Sequence, residues 1–136
     1  MAQSVFTQNA TVVTVYDTLG ADGLAYALNQ GEIEILFTSA ELFPMVKSIK
    51  DKVKSLKTII YNTPEKLASP LTADGLRVVD IATLLEDAPA DVAAKLPKPD
   101  DLACIMYTSG TTGNPKVVFP FFSPPFNGLD MLISML

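Results

Sequence analysis

The sequence predicts an α/β fold in which a mainly parallel sheet is flanked by helices. Short runs of β-branched and aromatic residues alternate along the chain with segments whose apolar residues recur at helical spacing. Strands separated by helices usually pair in parallel, because each helix carries the chain back to the start of the next strand. Apolar residues make up 49% of the 136 residues, which is enough for a buried core.

The first half of the chain carries two predicted strands with a helix between them. A β-prone run covers residues 12–16, and apolar residues of 24–28 then recur at helical spacing ahead of Gly31, which is placed to end that helix. Residues 33–37 alternate, so they predict a strand with one well-defined apolar face, formed by its isoleucines and Phe37.

A second helix is predicted after Ser39, whose hydroxyl can cap it. Pro44 stands near the predicted start, where its missing N–H does least damage. The lysines between positions 47 and 54 mostly occupy one face, which is interpreted as a solvated surface in preference to a ligand patch. The apolar stripe on the other side is spaced at four, three and four residues and consists of Leu42, Val46, Ile49 and Val53.

The second half of the chain predicts three more strands. Residues 58–61 and 76–79 form two of them, with a polar, proline-bounded loop over 62–70 in between. Asp80 can cap a short helix that follows. Residues 102–107 form the last predicted strand, and their apolar character predicts burial on both faces of a sheet.

Charge and residue usage exclude several classes of function. A net charge of −5 argues against nucleic acid or an anionic membrane as the main partner. The chain has no histidine, which excludes Ser-His-Asp and Cys-His catalysis within it. Its single cysteine, Cys104, fits a reducing, intracellular compartment and is interpreted as a buried strand residue. The apolar but proline-rich last residues do not predict a transmembrane helix.

One stretch, Tyr107 to Lys116, combines hydroxyls, glycines and a lysine directly after a predicted strand. Glycine permits backbone angles that bring N–H groups close to an anion, and the hydroxyls and the lysine add further donors and a positive charge. A pyrophosphate or triphosphate suits such a loop, although composition alone is equally compatible with a turn that binds nothing. The candidate binding residues are Thr108, Ser109, Gly110, Thr111, Thr112, Gly113 and Lys116.

The spacing of this loop excludes two common phosphate-binding motifs. A Walker A loop has a glycine directly before its lysine and a serine or threonine directly after it, whereas Pro115 and Val117 occupy those positions here. The pattern is not G-x-G-x-x-G either. The run IMYTSGTTGNPK over residues 105–116 instead resembles the AMP-binding motif of the adenylate-forming enzymes, which include acyl-CoA synthetases, luciferases and peptide-synthetase adenylation domains.

Further stretches resemble the long-chain fatty acyl-CoA synthetases within that superfamily. They are VYDTLG over residues 15–20, the run FTQNATVVTV over 6–15, and PDDLA over 99–103. The resemblance implies a partial, incomplete N-terminal domain of the adenylate-forming fold over residues 1–118, followed by an atypical apolar tail, rich in proline and phenylalanine, over residues 119–136.

The resemblance also implies an ATP-dependent, AMP-forming ligase. In that family a fatty-acid carboxylate attacks the α-phosphate of ATP, and the thiol of coenzyme A then displaces AMP from the acyl-adenylate. Mg²⁺ and the loop would neutralise the charges that repel each other, and residues 108–113 with Lys116 would hold the β- and γ-phosphates. No catalytic residue and no metal ligand of this chain is assigned.

The end of the sequence departs from the family pattern. Val117 stands where the family usually has glycine, and a phenylalanine- and proline-rich run replaces the expected strand and Thr-His pair. Later family segments for adenine, ribose and metal are not found, so we expect an internal part of a longer protein. Two functions stay open: a fatty-acid-activating enzyme, or a non-catalytic remnant that binds nucleotide weakly or associates with other chains, including itself through the apolar tail.

Overall fold

A computed structural model describes residues 2–64, 67–89, 91–108 and 116–118, with the backbone alone described for 108 and 116–118. The chain divides into two compact units, one formed by residues 1–15 with 91–136 and the other by residues 16–90. Each unit contains a three-stranded sheet. Helices lie between strands along the chain, and three of the four strand pairs described are parallel, so the predicted α/β class is confirmed.

In chain order, the helices and strands are α1 (Ala2–Phe6), β1 (Val12–Thr14), α2 (Gly20–Gln30), β2 (Ile35–Ser39), α3 (Phe43–Ile49), β3 (Thr58–Asn62), β4 (Arg77–Asp80), α4 (Ile81–Glu86), β5 (Cys104–Thr108) and β6 (Lys116–Val118). Short 3-10 turns, Asp17–Leu19 and Lys50–Lys52, precede α2 and follow α3. Neither α1 nor β6 was predicted from the sequence.

The unit of residues 16–90 is built on a parallel sheet with the strand order β2-β3-β4. Helices α2 and α3 pack against each other and bury the apolar stripes that the sequence predicted, including Leu28, Val46 and Ile49. Helix α3 covers one face of the sheet, since the Phe43 ring meets the Tyr61 ring edge-on with 6.4 Å between ring centroids. This face forms the core of the unit.

The other face of that sheet is apolar and is exposed at the edge strand β2. Ile35 and Phe37 of β2 are 61% and 44% exposed, whereas Ile59 on the opposite face of β3 is completely buried. The register aligns Phe37 with Ile60 and Val79 in one row across all three strands. The sequence was right that Ile35 and Phe37 share a face, but the buried core of the unit lies on the opposite side.

The ends of the helices confirm two sequence predictions and correct a third. Helix α2 ends at Gln30, as predicted from Gly31, although Gly31 keeps a right-handed backbone and the next residue, Glu32, is left-handed with φ of 49°. An Asp80 carboxylate oxygen accepts from the Ala82 N–H at 2.9 Å and caps α4. Ser39, predicted to cap α3, is instead the last residue of β2. The helix begins later, after Leu42, and no side chain caps it.

The unit of residues 1–15 with 91–136 holds the second sheet, with the strand order β1-β5-β6. Strands β1 and β5 run parallel, with Val12 opposite Cys104 and Thr14 opposite Met106. Strands β5 and β6 run antiparallel. None of the helices in the described part of the chain has both the length and the apolar character of a membrane span.

Candidate phosphate-binding site

Strand β5 reaches its position through a tight turn formed by residues 98–101. The Asp101 N–H donates to the Lys98 carbonyl at 3.0 Å, and an Asp101 carboxylate oxygen accepts from the Lys98 N–H at 2.7 Å. Pro99 occupies the second position, where its fixed φ suits such a turn. Residues 99–101 of this turn belong to the PDDLA stretch over residues 99–103, and β5 begins directly after that stretch, at Cys104.

Two hydrogen bonds then align the parallel strands β1 and β5. The Thr11 hydroxyl donates to the Leu102 carbonyl at 3.0 Å, and the Val12 N–H donates to the Ala103 carbonyl at 3.1 Å. As a result β1 ends at Thr14, opposite Met106, two residues before β5 ends at Thr108. Ligands of open α/β sheets commonly bind beyond the carboxyl ends of parallel strands.

The predicted phosphate loop starts at this end of the sheet and returns to it. Thr108 and Lys116, the first and last candidate residues, are Cα partners in the antiparallel pair of β5 and β6. The pairing therefore brings the two ends of the loop to one register position. The other candidates, Ser109, Gly110, Thr111, Thr112 and Gly113, lie outside the described residues.

Buried side chains anchor β5 below the loop. Tyr107 is only 1% exposed and Cys104 only 4% exposed, which agrees with the interpretation of Cys104 as a strand residue of the core. Burial raises the pKa of the Cys104 thiol above its ordinary value of 9.0, and a hydrogen bond with the Ile105 backbone opposes that shift only in part. The thiol is therefore protonated at neutral pH and is a poor nucleophile.

Thr14 is a polar residue beside the site that the sequence analysis did not single out. Its hydroxyl oxygen has less than 1 Å² of accessible surface and no hydrogen-bond partner within the described part of the chain. The available signal was a threonine inside a run of valines, Val12, Val13 and Val15, at a point where the chain is about to leave the sheet.

Two other features of the described residues bear on ligand binding. They contain no cluster of three or more histidine, cysteine or acidic side chains that could hold a metal ion. The lysine-rich segment after α3 carries surface ion pairs, with 3.0 Å between Lys52 and Asp22 and 3.0 Å between Lys50 and Asp51. Such exposed pairs contribute about 0–1 kcal/mol each, and they favour the interpretation of this segment as a solvated face.

Comparison with known proteins decides the family. A sequence model described as "AMP-binding enzyme" matches residues 1–119, which is most of the chain. The chain belongs to the AMP-binding enzyme family. The matched range includes residues 105–116, the run whose sequence resembles the family's AMP-binding motif.

Curated members of the AMP-binding family that resemble the chain are long-chain fatty acyl-CoA synthetases, which confirms the predicted group. Long-chain-fatty-acid–CoA ligase 1 of Schizosaccharomyces pombe is 33% identical over 121 residues, which cover 86% of this chain and 18% of that protein. Fatty acyl-CoA synthetase B of Dictyostelium discoideum is 39% identical over 123 residues, which cover 83% of this chain and 18% of that protein. The chain thus spans less than a fifth of the length of these relatives.

Solved structures of the AMP-binding family share the fold. The anthranilate CoA ligase AuaEII, solved in complex with anthranoyl-AMP, aligns with a TM-score of 0.69 at 20% identity over 83% of this chain and 20% of that one. The N-terminal domain of FACL13 from Mycobacterium tuberculosis aligns with a TM-score of 0.63 at 28% identity over 83% of this chain and 25% of that one. The predicted fold, part of an adenylate-forming domain, is confirmed.

Proposed function

We propose that the chain forms the phosphate-binding part of a long-chain fatty acid–CoA ligase. The observation that supports the proposal is the pairing of Thr108 with Lys116, which brings the two ends of the candidate loop together at the carboxyl end of β5. In this function ATP activates a fatty acid as its acyl-adenylate, and coenzyme A then accepts the acyl group. The similarity to long-chain ligases of other organisms supports the choice of a fatty acid as substrate.

The roles of the loop residues in this proposal follow from their chemistry. Residues 108–113 offer hydroxyl and backbone N–H donors to the β- and γ-phosphates of ATP, and Lys116 adds a positive charge. Mg²⁺ would neutralise the phosphate charge that these donors leave uncompensated. The donor set of hydroxyls, amides and one ammonium group fits phosphate oxygens, because all of its members donate hydrogen bonds and none carries negative charge.

We further propose that residues 1–118 form the family-related part of the chain and that residues 119–136 form a separate tail. The match of the AMP-binding model to residues 1–119 supports this boundary. In the described residues, β6 ends at Val118, directly before the proposed tail.

Binding of Mg-ATP to the full chain tests the proposed site. We expect Lys116→Ala to weaken binding by about ten- to a hundredfold, because one charge-assisted contact is worth about 1.5–3 kcal/mol. Titration of backbone amide resonances with Mg-ATP measures this affinity. Lys57→Ala removes a lysine that pairs with Glu34 on the surface and serves as the matched control, with unchanged affinity. Absence of any shift in the wild-type chain, or equal affinity of Lys116→Ala, would refute the site.

A non-catalytic role in association with other chains is the second candidate. The uncovered apolar face around Ile35 and Phe37 favours it, because exposed apolar surface promotes association. The apolar tail of residues 119–136 is a further candidate for self-association. Sedimentation velocity at several concentrations distinguishes the two surfaces: Phe37→Lys restores monomer if the sheet face associates, and truncation after Val118 restores it if the tail does. A wild-type chain that stays monomeric contradicts both.

A further inference from the structure

Strand β2 lies at one edge of the β2-β3-β4 sheet, so one side of its backbone has no neighbouring strand among the described residues. The residues that flank β2 show which of its groups face that side. The Glu34 carbonyl accepts from the N–H of the first residue of β3 at 3.0 Å, and the Ala40 N–H donates to the carbonyl of the last residue of β3 at 2.9 Å. Successive residues of a strand point their backbone groups to alternate sides. The N–H and C=O groups of Ile35 and Phe37 therefore point to the free edge.

The free edge is short, because its ends are already hydrogen-bonded. The Ile33 N–H donates to the Leu28 carbonyl at 3.0 Å, and the Ser39 carbonyl accepts from the Leu42 N–H at 3.2 Å. Between these bonds lie the two residues with open backbone groups, and their side chains are also the exposed apolar ones of β2, at 61% and 44%. Unpaired backbone and exposed apolar surface thus coincide on one stretch, a combination that favours pairing with another strand.

The free edge matches a second copy of itself. In an antiparallel pair of two β2 strands with Ile35 of each copy opposite Phe37 of the other, both positions present the backbone groups that such a pair exchanges as hydrogen bonds. Each exposed isoleucine then contacts an exposed phenylalanine on the same face, and pairs of β-branched and aromatic residues stabilise sheets. A register with Phe37 opposite itself would instead pair Ile35 with Ser39, whose carbonyl is already bonded.

Charge and size define the kind of association. Strand β2 contains no charged residue, and Glu34 beside it pairs with Lys57 at 2.6 Å. In the register above Glu34 lies opposite Thr38 of the other copy, so like charges do not meet although the chain carries a net charge of −5. A pair of such short strands buries less than the roughly 800 Å² per partner of a stable complex, so the association is weak and reversible.

We propose that two copies of the chain associate through antiparallel pairing of their β2 strands, with Ile35 of each copy opposite Phe37 of the other, and so form one continuous sheet. The interface is isologous, because the same residues contribute from both copies. The inference rests on the second candidate function, association with other chains, and identifies the partner as an identical chain. It does not depend on the phosphate site.

Amide hydrogen exchange of the full chain, followed residue by residue at increasing protein concentration, tests this pairing. We expect the Ile35 and Phe37 amides to exchange about fivefold more slowly at about ten times the dimer dissociation constant, because about a fifth of the chains is then monomeric. Leu36 and Thr38 are the internal control. Their amides face β3 in monomer and dimer alike, so they should be protected already at the lowest concentration, at which Ile35 and Phe37 are not.

A pair of variants at one position separates backbone pairing from apolar contact. Phe37→Pro removes the aromatic ring and an outward N–H, and proline is tolerated in an edge strand where the N–H faces away from the sheet. We expect it to stay monomeric in sedimentation velocity at concentrations at which the wild type dimerises. Phe37→Leu keeps the N–H and an apolar side chain, so it should still dimerise, with lower affinity. Equal behaviour of the two variants would contradict backbone pairing.

The outcomes separate this inference from the functions proposed above. If the chain dimerises while Ile35 and Phe37 exchange at the same rate at every concentration, another surface associates and the β2 pairing is refuted. If truncation after Val118 abolishes the dimer, the tail carries the association and the pairing is equally refuted. A full chain that stays monomeric refutes both the pairing and the second candidate function, whereas Mg-ATP binding tests the phosphate site separately. The exchange measurement needs no variant, so it decides the case even where Phe37→Pro unfolds.

Discussion

Replacing two isoleucines on opposite faces of the β2-β3-β4 sheet tests where the core of that unit lies. Ile59 of β3 is fully buried, whereas Ile35 of β2 is 61% exposed. An Ile→Ala substitution removes three carbons, worth roughly 2.4 kcal/mol at about 0.8 kcal/mol for each. At Ile59 the full transfer energy applies and a cavity adds to it, so we expect Ile59→Ala to lower the free energy of unfolding by about 3–4 kcal/mol.

The same substitution at Ile35 should cost much less. Because 61% of Ile35 is exposed, roughly two fifths of the transfer energy applies, which gives about 1 kcal/mol and no trapped cavity. Ile35 lies in the edge strand β2 and Ile59 in the central strand β3, and differences in β-propensity between such positions span about 1 kcal/mol, which is less than the expected difference. The difference between the variants, about 2–3 kcal/mol, therefore reports burial.

Urea unfolding followed by circular dichroism, with the free energy extrapolated to water, measures both values. The denaturant dependence should be the same in the two variants, which confirms that they report on one transition. Equal losses at Ile35 and Ile59, or a larger loss at Ile35, would show that the face around Phe37 is covered in solution. The assignment of the core to the Tyr61 face would then be wrong.

Two further predictions concern the cap of α4 and the buried thiol. Asp80→Ala should lower the free energy of unfolding by about 1 kcal/mol, because the Asp80 carboxylate accepts a hydrogen bond from the Ala82 N–H at 2.9 Å. Asp80→Asn should lower it by less, because asparagine also caps helices. Equal losses for the two variants in urea unfolding would contradict a role of Asp80 in capping. Burial raises the pKa of Cys104 above 9.0, so its stabilising contribution is fully present below pH 9.0 and is lost as the pH rises through the folded-state pKa. The wild type should therefore lose stability above pH 9 relative to Cys104→Ala, and parallel pH profiles of the two chains would refute this.

The sequence correctly predicted features that depend on residues a few positions apart, such as the cap of α4. Asp80 caps α4 because its carboxylate reaches the Ala82 N–H within one turn. The family could be predicted because the run over residues 105–116 carries its resemblance in spacing within a dozen residues. Ser39 shows the limit of this approach: a good capping residue joined β2, where its backbone pairs with Asn62 of β3, and the next helix began without a side-chain cap.

The sequence did not predict which face of the sheet forms the core, because that depends on contacts between residues far apart in the chain. Alternation placed Ile35 and Phe37 on one face, but a period of two residues cannot tell which face meets a helix. Here α3 lies on the Tyr61 side, and Ile35 and Phe37 stay exposed. Parallel sheets are normally covered on both faces, and a face of aligned Phe37, Ile60 and Val79 has the composition of a covered one. The burial of Thr14 was not predicted either: its hydroxyl oxygen is buried and has no hydrogen-bond partner among the described residues. Neither the face of the sheet that a helix covers nor the partner of a buried hydroxyl can be predicted from the residues next to it in the sequence.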